Sequence, residues 1–186
     1  MFIFILYSFC YYKTMIKQYL ISILNIPGVM IHEFSHYLFC TISGVKVYEV
    51  CYFQFKNPIG YVKHQEPKNF IQSFLITMGP FILGTILSFV LFGYINMNPR
   101  ISILNIVALW FGVVIAVHSF PSRGDGKVLF REANRHIFIN KNPFAILLYP
   151  FVLILKIINF LRRYYLDFLY AIFLFGLTWY IIRIIR

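Results

Sequence analysis

His32, Glu33 and His36 carry the clearest chemistry in this sequence, because they form the pattern H-E-x-x-H inside an otherwise apolar run. Residues four apart share one face of a helix, so the two imidazoles can each offer a nitrogen to a single Zn²⁺. Glu33 lies about 100° round such a helix from His32. From there it can take a proton from a water that the metal polarises, without holding the metal itself. The same pattern also arises as a solvated polar turn of a soluble helix. The flanks argue against that reading: residues 19–27 and 37–42 are almost wholly apolar. Two histidines and a glutamate are unfavourable in such surroundings unless something satisfies them, and a metal ion does so directly.

The elements that must position this group belong to a membrane protein. Of 186 residues, 60% are hydrophobic, 20% aromatic and only 12% charged, outside the range of soluble globular domains. One membrane domain over residues 1–186 is the natural reading. The net charge of +11 comes from 17 Lys and Arg against 6 acids. These cations fall between apolar segments, where they read as interfacial anchors and topology signals. No basic helix with exposed aromatics stands apart, so nucleic acid is discounted as a partner. Cys10, Cys40 and Cys51 are odd in number and form no C-x-x-C pair. They indicate neither a disulfide framework nor a cysteine metal site, and Cys40 reads as a small apolar helix residue.

In chain order, residues 2–12 are apolar but too short to span and lack a signal-peptide pattern. They lie at the interface or extend the first helix. Residues 17–43 are long enough to cross, with Pro27 and Gly28 just before the histidines. Residues 45–62 turn β-prone around the turn signal Asn57-Pro58 and predict a short hairpin. Further spans are expected over 69–95, 101–120, 143–161 and 164–182, the second and third as antiparallel neighbours. Residues 121–127 form a polar stretch leading into an Arg-rich interfacial segment. Asp167 reads as an interfacial ion pair with Arg163; His64 and His136 read as interfacial histidines. Most Lys and Arg fall on the face of the hairpin, the 121–127 stretch and the C-terminus, with Arg183 and Arg186. Lys13, Lys17, Arg100, Lys156, Arg162 and Arg163 fall on the other. The richer face is expected to be cytoplasmic, and it is the face nearer the histidines.

Three separated signals together resemble the site-2 protease family of intramembrane zinc metalloproteases, over roughly residues 17–130. The stretch 28–47 is similar to that family's H-E-x-x-H helix running out into a Gly-Val-Lys-Val strand. Gly79 and Pro80 resemble its Gly-Pro motif. His118 and Pro121, followed by Asp125 and Gly126, resemble its third motif, an Asn-x-x-Pro leading to Leu-Asp-Gly. Leu83, His118 and Gly124 depart from the family's asparagine, asparagine and leucine, and the last spacing is one residue shorter. The resemblance implies a three-helix metalloprotease core over 17–130. Two C-terminal transmembrane helices over 143–183 and a small β-hairpin would complete an all-α polytopic membrane protein.

The resemblance also implies that Asp125 is the third zinc ligand. Catalytic zinc commonly takes three protein groups and a water. Asp125 follows a helix end aimed at the same membrane face and sits between glycines, which let the backbone approach the metal. Its plain alternative is an Asp-Gly turn in an interfacial loop, and His118 is the alternative ligand. His118 otherwise serves as a donor toward a substrate carbonyl. Gly79 and Pro80 either contact substrate or make a close-packed kink against the histidine helix. The expected activity is hydrolysis of a peptide bond in or next to a transmembrane segment of another membrane protein. Glu33 is the catalytic base and one Zn²⁺ is held by His32, His36 and Asp125. The expected setting is the cell membrane, with the active site nearer its cytoplasmic face. A non-catalytic membrane scaffold and a metal or proton transporter are the competing classes.

Overall fold

A computed structural model describes residues 2–138, 141–161 and 165–185, with side chains from residue 22 onward. The described residues form six helices and a two-stranded sheet. The first helix, α1 (Phe2–Ile42), runs unbroken through Pro27, so the short apolar stretch 2–12 extends it. It ends where Gly44 adopts φ +67. The Val45 N–H donates to the Cys40 carbonyl at 2.8 Å and the Gly44 N–H to that of Thr41 at 3.1 Å. This is a Schellman ending, with the usual apolar contact between the residue past the cap and the last turn. That contact is Val45 on Cys40, both buried together with Ile76. Cys40 is thus the small apolar residue its setting in the sequence suggests.

The hairpin comprises β1 (Val47–Cys51) and β2 (Tyr61–His64), antiparallel, with Glu49 opposite Lys63 and Val50 opposite Val62. Glu49 accepts hydrogen bonds from Lys63 at 2.6 Å and Tyr61 at 2.5 Å. Those bonds hold its carboxyl below the usual carboxylate range. The β-prone residues Tyr52 to Phe55 lie in the connecting loop. Pro58 has no N–H to give a ladder, and the loop is closed instead by the Gln54 N–H on the Ile59 carbonyl at 2.6 Å.

Helix α2 (Phe70–Met97) begins at Asn69, whose side chain accepts from the Gln72 N–H. It contacts all five other helices. The expected third span is a shorter helix, α3 (Ile103–Val117), of 15 residues. The chain leaves helical geometry at His118, ahead of Pro121, which cannot donate to a continuing helix. Next come α4 (Arg123–Phe138), α5 (Pro143–Leu161) and α6 (Leu166–Ile185). Among the described residues, three helices, α2, α5 and α6, are long and apolar enough to cross a membrane. One buried cluster joins Phe70 of α2 to Leu129 and Ala133 of α4 and Val152 of α5. Another joins Phe92, Ala116, Ala171 and Leu174 of α2, α3 and α6. Gly112 of α3 takes the Phe92 ring directly against its backbone, and α2 and α3 pack as the neighbours expected.

Side-chain pairs fix helix directions and correct the expected placement of two basic groups. Thr85 meets Tyr170 at 2.5 Å, and Asn96 donates to Thr178 at 2.8 Å. Helix α6 therefore runs the same way as α2, and Arg183 lies at the Asn98 end, opposite the hairpin. Tyr149 donates to Asn134, and Lys156 lies over the Phe130 ring. Helix α5 thus runs antiparallel to α4 and brings Lys156 back beside the start of α4. A count of alternating crossings misses this, because α4 and α5 form a returning pair. Arg163, the expected partner of Asp167, lies outside the described residues.

Candidate metal centre

The H-E-x-x-H turn lies in the last third of α1, packed between α2 and α3. Tight backbone approaches hold it there. A Cβ on Gly28 would fall 2.5 Å from the Val114 carbonyl oxygen of α3, and one on Gly79 would fall 3.2 Å from that of Ser35. Only glycine admits such contact between helices.

Each histidine is oriented through its Nδ1. His32 Nδ1 lies 2.8 Å from the His118 carbonyl oxygen, and His36 Nδ1 lies 2.9 Å from that of Ile76. A carbonyl only accepts, so both Nδ1 atoms carry a proton, and in the neutral rings both Nε2 atoms present lone pairs. Those two Nε2 atoms are 3.2 Å apart. Asp125 Oδ2 lies 3.6 Å from one and 3.4 Å from the other. Three acceptors converging on one point repel unless a cation stands between them. Ligands bonded tetrahedrally at roughly 2.0–2.2 Å would be separated by about 3.3–3.6 Å, so the observed triangle has the dimensions of one face of such a site. The donor set of two imidazoles and a carboxylate fits a metal ion.

Asp125 does not sit in an Asp-Gly loop turn, the plain alternative for it. It occupies the first turn of α4, in a reciprocal cap: its N–H donates to Ser122 Oγ at 3.2 Å, and its Oδ2 accepts from the Ser122 N–H at 2.8 Å. This is a capping box with aspartate in the acidic position. The spacing Ser122-x-x-Asp125 before an apolar run was the sequence signal for it. Gly126 belongs to the same turn, against Asn159 of α5.

A cavity of about 340 Å³ opens beside the three ligand atoms, with Glu33, Tyr61, Thr77 and Arg131 among its lining residues. Glu33 therefore shares this space with the histidines and Asp125. The hairpin loop reaches over it: a Cβ on Gly60 would fall 2.6 Å from Glu33 Cγ. His64 of β2 also lines the cavity, a position that sequence reading passed over. His136 instead meets the Phe70 ring. His118, Gly79 and Pro80 lie outside the lining. His118 Nδ1 donates to the Val114 carbonyl at 2.9 Å, so its contact with the site is its own carbonyl on His32. Gly79 packs on Phe39 and Ser35 and Pro80 is fully buried, the close-packing role. The orienting carbonyls of Ile76 and His118 were missed because backbone groups carry no residue signature.

No family model matches the chain, and comparison with curated proteins and with solved structures found no significant match.

Proposed function

We propose that the protein is an intramembrane zinc metalloprotease of the site-2 protease kind, with His32, His36 and Asp125 as zinc ligands and Glu33 as general base. The observation that carries this reading is the convergence of His32 Nε2, His36 Nε2 and Asp125 Oδ2 beside Glu33 in one cavity. Both imidazoles are held in the ligating tautomer from behind, as metal-bound histidines usually are. Zinc held there supplies Lewis acidity toward a water and a peptide carbonyl. Glu33 takes the proton from the attacking water and then delivers it to the departing amide nitrogen. The substrate is a peptide bond in or next to a transmembrane segment of another membrane protein. Its helix must unwind locally, because its carbonyls are otherwise engaged in its own hydrogen bonds. The setting is the cell membrane, with the hairpin end cytoplasmic, since that end carries most of the cations.

The test is metal analysis of detergent-purified protein together with cleavage of a generic single-span substrate. Wild type should carry one zinc per chain and cleave. Glu33→Gln should keep the zinc and lose about 10²–10⁴-fold in rate, the usual worth of a general base. Loss of zinc in that variant would move Glu33 among the ligands and overturn its assigned role. Zinc binding without cleavage by wild type would favour a scaffold. Metal uptake into proteoliposomes that needs His32 but not Glu33 would favour a transporter.

A further inference from the structure

A second cavity, of about 390 Å³, lies on the far side of α4 from the metal centre. Arg123, Lys127 and Phe130 line it from α4, and Lys156, Asn159 and Phe160 line it from α5. The spacings of four and seven on α4, and three and four on α5, put each set on one helix face. Two antiparallel faces therefore make one groove. Its three cations are exposed, and among the described residues none is paired with a carboxylate. All six acids of the chain are described residues, so the excess of positive charge belongs to the groove itself.

The remaining surface of the groove is apolar. Lys156 stacks its ammonium 4.2 Å from the centre of the Phe130 ring, which holds the charge in place. Phe160 is 69% exposed, and Ile157 and Ile154 continue an exposed apolar strip along α5. Asn159 adds a carbonyl oxygen, Oδ1, that is buried without a hydrogen-bond partner. The site thus pairs three cations with an adjoining apolar strip, at the last turns of a helix apolar enough to span a membrane. A phosphate ester suits the cations. Acyl chains suit the strip.

We propose that this groove binds a phosphate group carried by an anionic phospholipid, with Arg123, Lys127 and Lys156 on the phosphate and the acyl chains along α5. The proposal does not depend on the protease reading, because its ligand and its residues are separate from the metal centre.

The test uses the full chain purified in a neutral detergent and reads bound lipid by native mass spectrometry during titration with phosphatidylglycerol or phosphatidylcholine. Inorganic phosphate forms a separate arm. The variant Arg123→Gln/Lys127→Gln/Lys156→Gln is compared with Lys46→Gln/Lys56→Gln/Lys68→Gln, which removes equal charge elsewhere. A charge-keeping variant, R123K/K127R/K156R, controls for folding. Wild type should prefer phosphatidylglycerol, and the groove variant should bind it about a hundredfold more weakly, roughly fivefold per cation. The other two should bind nearly as wild type does. Inorganic phosphate bound by wild type without lipid preference, and lost in the groove variant, would overturn the lipid assignment in favour of a soluble phosphate. Equal loss in both glutamine triples would overturn the proposal, as would full binding by the groove variant or equal affinity of wild type for the two lipids.

Discussion

Asp125 Oδ2 has two duties at once: it accepts the Ser122 N–H that starts α4 and it faces both imidazoles. Removing it should therefore affect metal and helix together. Asp125→Ala should lose zinc in metal analysis and lower the melting temperature, since loss of a cap alone is worth about 1 kcal/mol. Asp125→Asn should keep much of the cap and still weaken the metal. His118→Ala, by contrast, should leave zinc near one per chain, because the contact with His32 is made by the backbone carbonyl. If His118→Ala lost the metal and Asp125→Ala kept it, the two residues would exchange roles. His32, Glu33 and His36 were legible from spacing alone, because four residues is a helical repeat whatever surrounds it. Asp125 was legible as a residue but not in its setting. The glycines beside it suggested a turn, whereas the Ser122 cap carries them into a helix.

At the scale of elements, the site is held by approaches that only glycine permits. Gly28→Val should push α1 off the Val114 carbonyl of α3 and carry the His118 carbonyl away from His32. Zinc affinity should fall about 10–100-fold, as it does when such an orienting partner is lost. Metal competition titration would read it, and unchanged affinity would show that His32 does not depend on that carbonyl. The hairpin offers a different prediction. Among the described residues its two strands pair only with each other, so the outer edge of β1 can accept an extended peptide as a further strand. Proline placed singly across residues 47–51 should lower cleavage at alternate positions with zinc content unchanged. Uniform tolerance would remove the edge from substrate capture. The hairpin was expected at 45–62 and lies at 47–64. Val45 is taken up by the ending of α1, and the loop around Pro58 takes Tyr52 to Phe55, whose β propensity favoured strand, a local preference overridden by turn chemistry.

Over the whole molecule, five of the six described helices could be read from hydropathy, α4 being too polar to register as one, but the helix directions could not. Charge counting assumed that each apolar segment crosses to the other side, and the α4–α5 pair returns instead. Only contacts such as Asn96 with Thr178 reveal that α6 parallels α2. The correction leaves the asymmetry as it was, since Lys156 joins the hairpin end and Arg183 leaves it. In intact cells, a cysteine replacing Lys56 should resist a membrane-impermeant maleimide. Cysteines replacing Asn98 and Arg183 should both react. Opposite labelling of Asn98 and Arg183 would refute the shared end, and labelling of Lys56 alone would invert the orientation.

Gly60, in the loop between β1 and β2, rests on the Glu33 side chain, and a scissile bond must occupy part of that same space. Under the proposed mechanism, each turnover then begins with a segment of chain swinging through solvent. Hydrodynamic drag would be part of the rate. Sucrose or glycerol added to the medium should slow cleavage in proportion to microviscosity, whereas a polymeric thickener that leaves microviscosity unchanged should not. Glu33→Asp, which slows the proton transfer itself, should abolish that dependence, because the loop would no longer be the slow step.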